Sequence, residues 1–263
     1  MPQITTRRGS VYYADHRKAD SPYTTVIYIH GAGGSHLDWS PELRRMPQAN
    51  AIALDLPAHG KSDPPHRTLI SEYADDVMAL VNRLSLPCAI FAGHSMGGAI
   101  AQQIALSYPE TVTGLMLIGT GAKLSVHPDI LNRVTTDYEA VADLLAEWLW
   151  GGDVDDKTKQ ITRAQLLKTP PEVTYGDYVA CNGFDSRAQL SRIIAPTLVI
   201  SGTHDKMTPL KYGQFLADNI PNAQLAVING AGHMLGLEQP QTVAGIIAKW
   251  LDALGGNHHA TSE

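Results

Sequence analysis

The sequence predicts an α/β protein, with a mostly parallel central sheet flanked by helices and a helical insertion. Three observations predict it. Short runs rich in Val, Ile and Leu alternate with longer amphipathic stretches, as in a parallel sheet whose strands are joined by crossover helices. One such run passes straight into Gly93-His94-Ser95-Met96-Gly97 and then into a helical pattern. The alternation fails between about Gly121 and Ser191, where helix-like stretches continue without a strand.

The strands are expected at Thr25–Ile29, Ala51–Leu54, Ala89–Ala92, Leu115–Ile118, Thr197–Ser201 and Leu225–Ile228. Most of these are short and aliphatic, as strands covered on both faces are. ITTRRGSVYYAD differs: Gly9 divides two β-branched or aromatic halves, so it reads as an antiparallel hairpin on the sheet edge. SEYADDVMALVNRL reads as a helix capped by Ser71, with Val77, Leu80, Val81 and Leu84 on one face. A helix from Met96 to Tyr108 is stopped by Pro109, and another runs from about Gln241 to Leu254. The insertion offers ILNRVTTDYEAVADLLAEWLW and KTKQITRAQLLK as helical stretches. The reading gives a core over 1–120 and 192–256, a helical lid over 121–191 and a frayed tail over 257–263. Most of the insertion's aromatics (Tyr138, Trp148, Trp150, Tyr175, Tyr178, Phe184) are expected in the lid's own core, the rest facing the sheet.

Composition narrows the function. A chain of 263 residues with 44% hydrophobic and 17% charged residues is an ordinary globular enzyme composition. The net charge of -6 and the lack of a basic stripe argue against nucleic acid as a partner. Cys88 and Cys181 are the two cysteines and form no CxxC pattern. The first residues lack an apolar core of signal-peptide length, and no run reaches the length of a membrane span. A cytoplasmic protein, monomer or homodimer, with a small-molecule substrate and no membrane partner is expected.

The run into Gly-His-Ser-Met-Gly is the strand–turn–helix setting in which a serine hydroxyl is lifted above the sheet edge. Gly93 and Gly97 leave room where side chains would clash, which makes Ser95 a candidate nucleophile rather than a small residue in a turn. Serine needs a base. Of eleven histidines, His233 alone lies in a glycine-rich loop between the last strand and the last helix, GAGHMLGLEQP. The base needs a carboxylate, and Asp205 follows the strand Thr197–Ser201, giving the order Ser, Asp, His. Asp55 also ends a strand but precedes the serine, and is read as holding its own loop. HGAGG after the first main strand supplies backbone donors for an oxyanion hole: Ala32 first, Gly33 next, with Met96 from the elbow. No Gly-Lys-Ser/Thr follows HGAGG, which disfavours a phosphate loop, and no metal-ligand spacing is present. No metal and no cofactor is expected.

HGAGG, DLPAHGKS, GHSMGG, SGTHDKMTP and GAGHMLGLEQP together resemble the α/β-hydrolase superfamily, in its capped serine-nucleophile branch, and span Ile29 to Pro240. One departure is Ala58, where many members carry glycine. The resemblance implies the α/β-hydrolase fold and a carboxylesterase-like hydrolase acting on small to medium acyl esters through an acyl-enzyme. Ser95 stands where dehalogenases and epoxide hydrolases of the superfamily carry aspartate, which argues against both. Met234 stands where many C–C hydrolases carry tryptophan, which lowers that alternative. Lactones remain compatible with the same three residues, and a slow-turnover ligand receptor is the alternative of another class.

Overall fold

The computed structural model describes residues 2–259 other than Arg7, Asp20 and Asp153, with backbone alone over 255–259. The chain runs β1 (Gln3–Thr6), β2 (Gly9–Asp15), β3 (Thr25–Ile29), α1 (Pro41–Arg44), β4 (Asn50–Leu54), α2 (Ile70–Arg83), β5 (Ala89–His94), α3 (Met96–Ser107) and β6 (Val112–Ile118). It continues through α4 (Pro128–Arg133), α5 (Tyr138–Trp148), α6 (Asp156–Leu166) and α7 (Pro171–Gly183). It ends with β7 (Thr197–Gly202), α8 (Leu210–Asn219), β8 (Ala223–Ile228), α9 (Leu235–Glu238) and α10 (Pro240–His259).

The strands form one eight-stranded sheet in the order β1-β2-β4-β3-β5-β6-β7-β8. The hairpin β1–β2 turns at the Thr6–Gly9 pair, and β2 joins β4 antiparallel; every later pairing is parallel. The six expected core strands are all present. β3 shows why they read as continuous apolar runs: Ile27 and Ile29 point into one core, Val26 and Tyr28 into the other. The first core packs α2, α3 and α8 through residues such as Val77, Ile100 and Leu216. The second packs α1, α9 and α10 through Leu43, Leu235, Val243 and Trp250. Each fully buried Leu, Ile or Phe contributes about 1.5–3 kcal/mol.

Several expectations shift. α2 begins at Ile70 with Leu69 in the cap position, so Ser71 is inside the helix and is not its cap. The long stretch after Ile130 is two helices, α4 and α5, divided at 134–137. α7 is a further helix with two glycines and no clean apolar stripe, because it is buried on more than one side. α10 continues to His259, into the segment expected as a tail; 260–263 lie outside the described residues. Tyr178 sits in the insertion's own cluster with Tyr138 and Trp148 against it, whereas Phe184 joins the first sheet core and Tyr175 is exposed. Among the described residues no helix is long and apolar enough to cross a membrane.

The turn after β4 is tied together by Asp55. Its Oδ1 accepts from the His36 N–H at 2.7 Å and pairs with His36 Nδ1 at 2.8 Å, and its Oδ2 accepts from the Lys61 N–H at 2.9 Å. Ala58 in this turn adopts φ 66°, the left-handed region. An L side chain there costs about 1–2 kcal/mol, while glycine adds about 0.4–1 kcal/mol of unfolded-chain freedom. Ala58→Gly is therefore expected to stabilise the protein by about 0.5–1 kcal/mol. The urea midpoint measures this, and a midpoint that stays or falls would remove the strain reading.

Candidate active site

All the expected site residues lie at the carboxyl edge of the parallel strands, where loops meet and helices begin. Ser95 joins β5 to α3 with φ 52° and ψ -118°, a conformation that an L residue holds only when its surroundings fix it. They do so here. The Ser95 N–H donates to Ile118 O at the end of β6 (3.0 Å), and Ser95 O accepts from the Gly98 N–H (2.9 Å) and Thr120 Oγ1 (2.8 Å). A Cβ on Gly93 would stand 2.1 Å from Gly97 O, and one on Gly97 would stand 2.1 Å from Ile29 O. Both obstacles are backbone, so the two glycines are steric requirements of the turn. The Ser95 hydroxyl itself makes no hydrogen bond with a described residue.

His233 follows β8 and precedes α9. Its Nδ1 lies 2.9 Å from Asp205 Oδ2. Asp205, just beyond β7, is 5% exposed and fully engaged: Oδ1 accepts from the Met207 and Thr208 N–H groups (2.8 Å each), and Oδ2 also accepts from Thr208 Oγ1 (2.7 Å). Burial works to raise the Asp205 pKa, but the His233 ring and these donors outweigh it and hold the carboxyl below the usual range. Nδ1–H therefore donates to an ionised carboxylate and leaves Nε2 unprotonated in the neutral ring. Nε2 has no partner of its own among the described residues.

The ring is placed from two further sides. His94, the residue before Ser95, stacks at a tilt with its centroid 4.7 Å from that of His233, and His94 Nε2–H donates to His233 O at 2.9 Å. Burial, with His233 beside it, pushes the His94 imidazole down to about 3, so it stays neutral and keeps that donor. The His233 and Met234 N–H groups both donate to Leu149 O, at 2.9 and 3.0 Å. Glu238 accepts from the Gly151 and Gly232 N–H groups at 3.0 Å. The end of α5 is thus bonded to the histidine loop.

The HGAGG loop lies against the elbow, since a Cβ on Gly31 would be 3.1 Å from Ser95 Cβ. The Ala32 and Met96 N–H groups have no hydrogen-bond partner among the described residues. Gly33 corrects the expectation. Its N–H donates to Asp177 Oδ2 at 2.8 Å, so it is not a free donor facing the site. His30 is buried, accepts from the Leu56 N–H at Nε2 (3.0 Å) and donates from Nδ1 to Gly31 O (2.8 Å). Burial, helped by His59, pushes its imidazole down to about 4. The insertion's apolar cluster around Val134, Val141, Leu145 and Tyr178 has Ala32, Trp148, Leu149 and Met207 packed against it.

The sequence reading missed Thr208, Leu149, Glu238 and Asp177. Thr208 lies in SGTHDKMTP and a hydroxyl three residues after the acid was a readable signal. Leu149 and Asp177 act on residues far away in the chain and left no local signal, whereas Glu238 lies in GAGHMLGLEQP and bonds both to Gly232 within that stretch and to the distant Gly151.

The chain matches the alpha/beta hydrolase family over residues 26–246 and belongs to it. It is 28% identical over 249 residues to 3-oxoadipate enol-lactonase 2 of Acinetobacter baylyi, covering 90% of this chain and 91% of that one. It is 28% identical over 237 residues to a putative carbamate hydrolase of Stutzerimonas stutzeri, covering 85% and 89%. A solved structure of a thermophilic esterase superposes with a TM-score of 0.85 at 32% identity, covering 97% of this chain and 98% of that one. The chain is a hydrolase.

Proposed function

We propose that the protein hydrolyses carboxylic esters of small to medium acyl chains, through an acyl-enzyme on Ser95. The observation that carries this reading is the Asp205–His233 hydrogen bond on the loop that packs against His94 of the strained elbow: with a proton on Nδ1 the neutral ring keeps Nε2 as its acceptor, and the Ser95 hydroxyl has no hydrogen bond of its own among the described residues. Nε2 takes the Ser95 proton as Oγ attacks the carbonyl carbon. The oxygen that gains charge is met by the unpaired Ala32 and Met96 N–H groups. The imidazolium, stabilised by Asp205, then protonates the leaving alcohol. Water, deprotonated by the same Nε2, attacks the acyl-enzyme and frees Ser95. The helices α4–α7 act as a cap whose apolar cluster holds the acyl chain. The unpaired thiols Cys88 and Cys181 agree with a cytoplasmic setting.

A second reading, lactone hydrolysis, is favoured by the likeness to an enol-lactonase. A lactone is a cyclic ester and needs the same steps, with the leaving alkoxide still tethered to the acyl group. The experiment is turnover of p-nitrophenyl acetate, butyrate and palmitate beside a panel of five- and six-membered lactones, with fluorophosphonate labelling of Ser95. Acetate and butyrate are expected to turn over and palmitate to be poor. Lactones exceeding esters in kcat/KM would select the second reading, and no turnover of either class would overturn both.

A further inference from the structure

A buried carboxylate that the mechanism above does not use stands directly behind the oxyanion loop. Asp177 is carried by α7 and is 0% exposed. Its Oδ2 accepts from the Gly33 N–H at 2.8 Å and faces His59 Nε2 at 2.8 Å, and its Oδ1 accepts from the Tyr73 hydroxyl at 2.5 Å. His59 Nδ1 faces Pro57 O at 3.0 Å. The His59 ring is thus held at both nitrogens, between Asp177 and the Pro57 carbonyl.

The loop's three consecutive peptides each have a partner that is not substrate. In the 31–32 peptide, Gly31 O accepts from His30 Nδ1–H (2.8 Å) and from the Gly34 N–H (3.2 Å). A trans peptide is planar, with C=O and N–H opposed, so fixing Gly31 O also aims the Ala32 N–H. In the 32–33 peptide, the N–H is held by Asp177. In the 33–34 peptide, Gly33 O accepts from the buried Thr169 Oγ1 at 2.9 Å. Two of the three clamps, Asp177 and Thr169, come from the insertion between β6 and β7.

We propose that Asp177 is a positioning residue for the oxyanion hole: by capturing the Gly33 N–H it fixes the 32–33 peptide, so that this loop presents only the Ala32 N–H to the reacting carbonyl. The proposal rests on the serine-hydrolase reading and extends it to a residue of the helical insertion. If Asp177 only docked α7, its bonds to His59 and Tyr73 would suffice. The third donor is the backbone of the oxyanion loop itself, next to the peptide that must stay rigid. Without this acceptor the Gly33 N–H is a buried donor seeking a partner, and the peptide turns toward water or substrate.

The test compares Asp177→Ala, Asp177→Asn and Thr169→Val with wild type. The measurements are kcat, KM and the inhibition constant of an alkyl trifluoromethyl ketone, whose Ser95 adduct places an oxyanion in the hole. Asp177→Ala is expected to lower kcat by about 10–100-fold with KM little changed. The inhibition constant is expected to rise by the same factor as kcat/KM falls. Asp177→Asn, whose amide oxygen can still accept from Gly33, is expected to recover most of the loss. Should Asp177→Ala fail to fold, Thr169→Val carries the test, with kcat expected to fall several-fold and inhibitor binding to weaken in proportion. Three results would overturn the proposal: a folded Asp177→Ala with wild-type kcat and inhibitor affinity, Asp177→Asn as damaged as the alanine variant, or, where alanine does not fold, Thr169→Val unchanged in both. Wild type inactive on every ester and lactone, or Ser95→Ala retaining turnover, would instead overturn the serine-hydrolase reading.

Discussion

Ser95→Ala is expected to lower kcat by at least about 10³-fold while leaving the thermal unfolding midpoint within about 2 °C of wild type. The two halves of this expectation have separate causes. Activity falls because no other hydroxyl occupies the tip of the elbow, and the base keeps its place without anything to deprotonate. Stability stays because the Ser95 hydroxyl has no hydrogen bond to lose, and alanine carries the same Cβ into the same left-handed backbone. The backbone bonds to Ile118, Gly98 and Thr120 that hold the elbow involve main-chain atoms of residue 95 and survive the change. The residual rate should reflect the Ala32 and Met96 donors acting on substrate with water as nucleophile. Steady-state kinetics with p-nitrophenyl butyrate, together with a melting curve, measures both halves. A variant that keeps more than a few per cent of kcat would remove Ser95 from the chemistry.

What could be read from the sequence follows from which interactions leave a local trace. β3, β5 and β7 were legible because strands covered on both faces are buried along almost their whole length and so are apolar at most positions, which few other short elements are. The elbow was legible because its two glycines answer to backbone atoms within a few ångströms, a requirement that leaves a fixed spacing. Asp205 and His233 were legible through their places after strands and their order in the chain. The Gly33 N–H was misassigned because its acceptor, Asp177, comes from a helix whose two glycines and buried polar residues hid it. Ser71 looked like a cap because serine before a helical pattern usually is one, yet the backbone turns into the helix two residues earlier, at Leu69. Pairing across the insertion is set by tertiary packing, and periodicity carries no record of it. Ala58 is an intermediate case: its departure from glycine was visible, but the φ it must adopt was not.

Asp205→Asn is expected to lower kcat by about 10²–10⁴-fold with little change in KM, because it reverses the tautomer of His233. In the wild type both oxygens of Asp205 accept, and the only proton that can lie between Oδ2 and Nδ1 is the one on His233. An asparagine here keeps its carbonyl oxygen on the Met207 and Thr208 N–H groups, which need an acceptor. Its NH₂ then faces Nδ1 and donates to it. The neutral ring must carry its proton on Nε2, the nitrogen that would have taken the proton of Ser95. Nothing else near Nδ1 restores the wild-type tautomer, since the nearby Thr208 Oγ1, 3.3 Å away, is itself reoriented by the new amide. The same substitution has a signature in stability. The folded-state pKa of Asp205 is depressed, so the unfolded chain binds more protons in the acid range and the carboxylate's contribution is present at neutral pH. It is lost as pH falls from about 5 through the folded-state pKa. Wild type should therefore exceed Asp205→Asn in unfolding free energy at pH 7, and the gap should close on acidification. Urea unfolding across that range checks the sign, and the ring-proton NMR resonances of His233 check the tautomer. Wild-type kcat in Asp205→Asn, or a gap that widens toward acid, would show that the carboxylate does not orient the base.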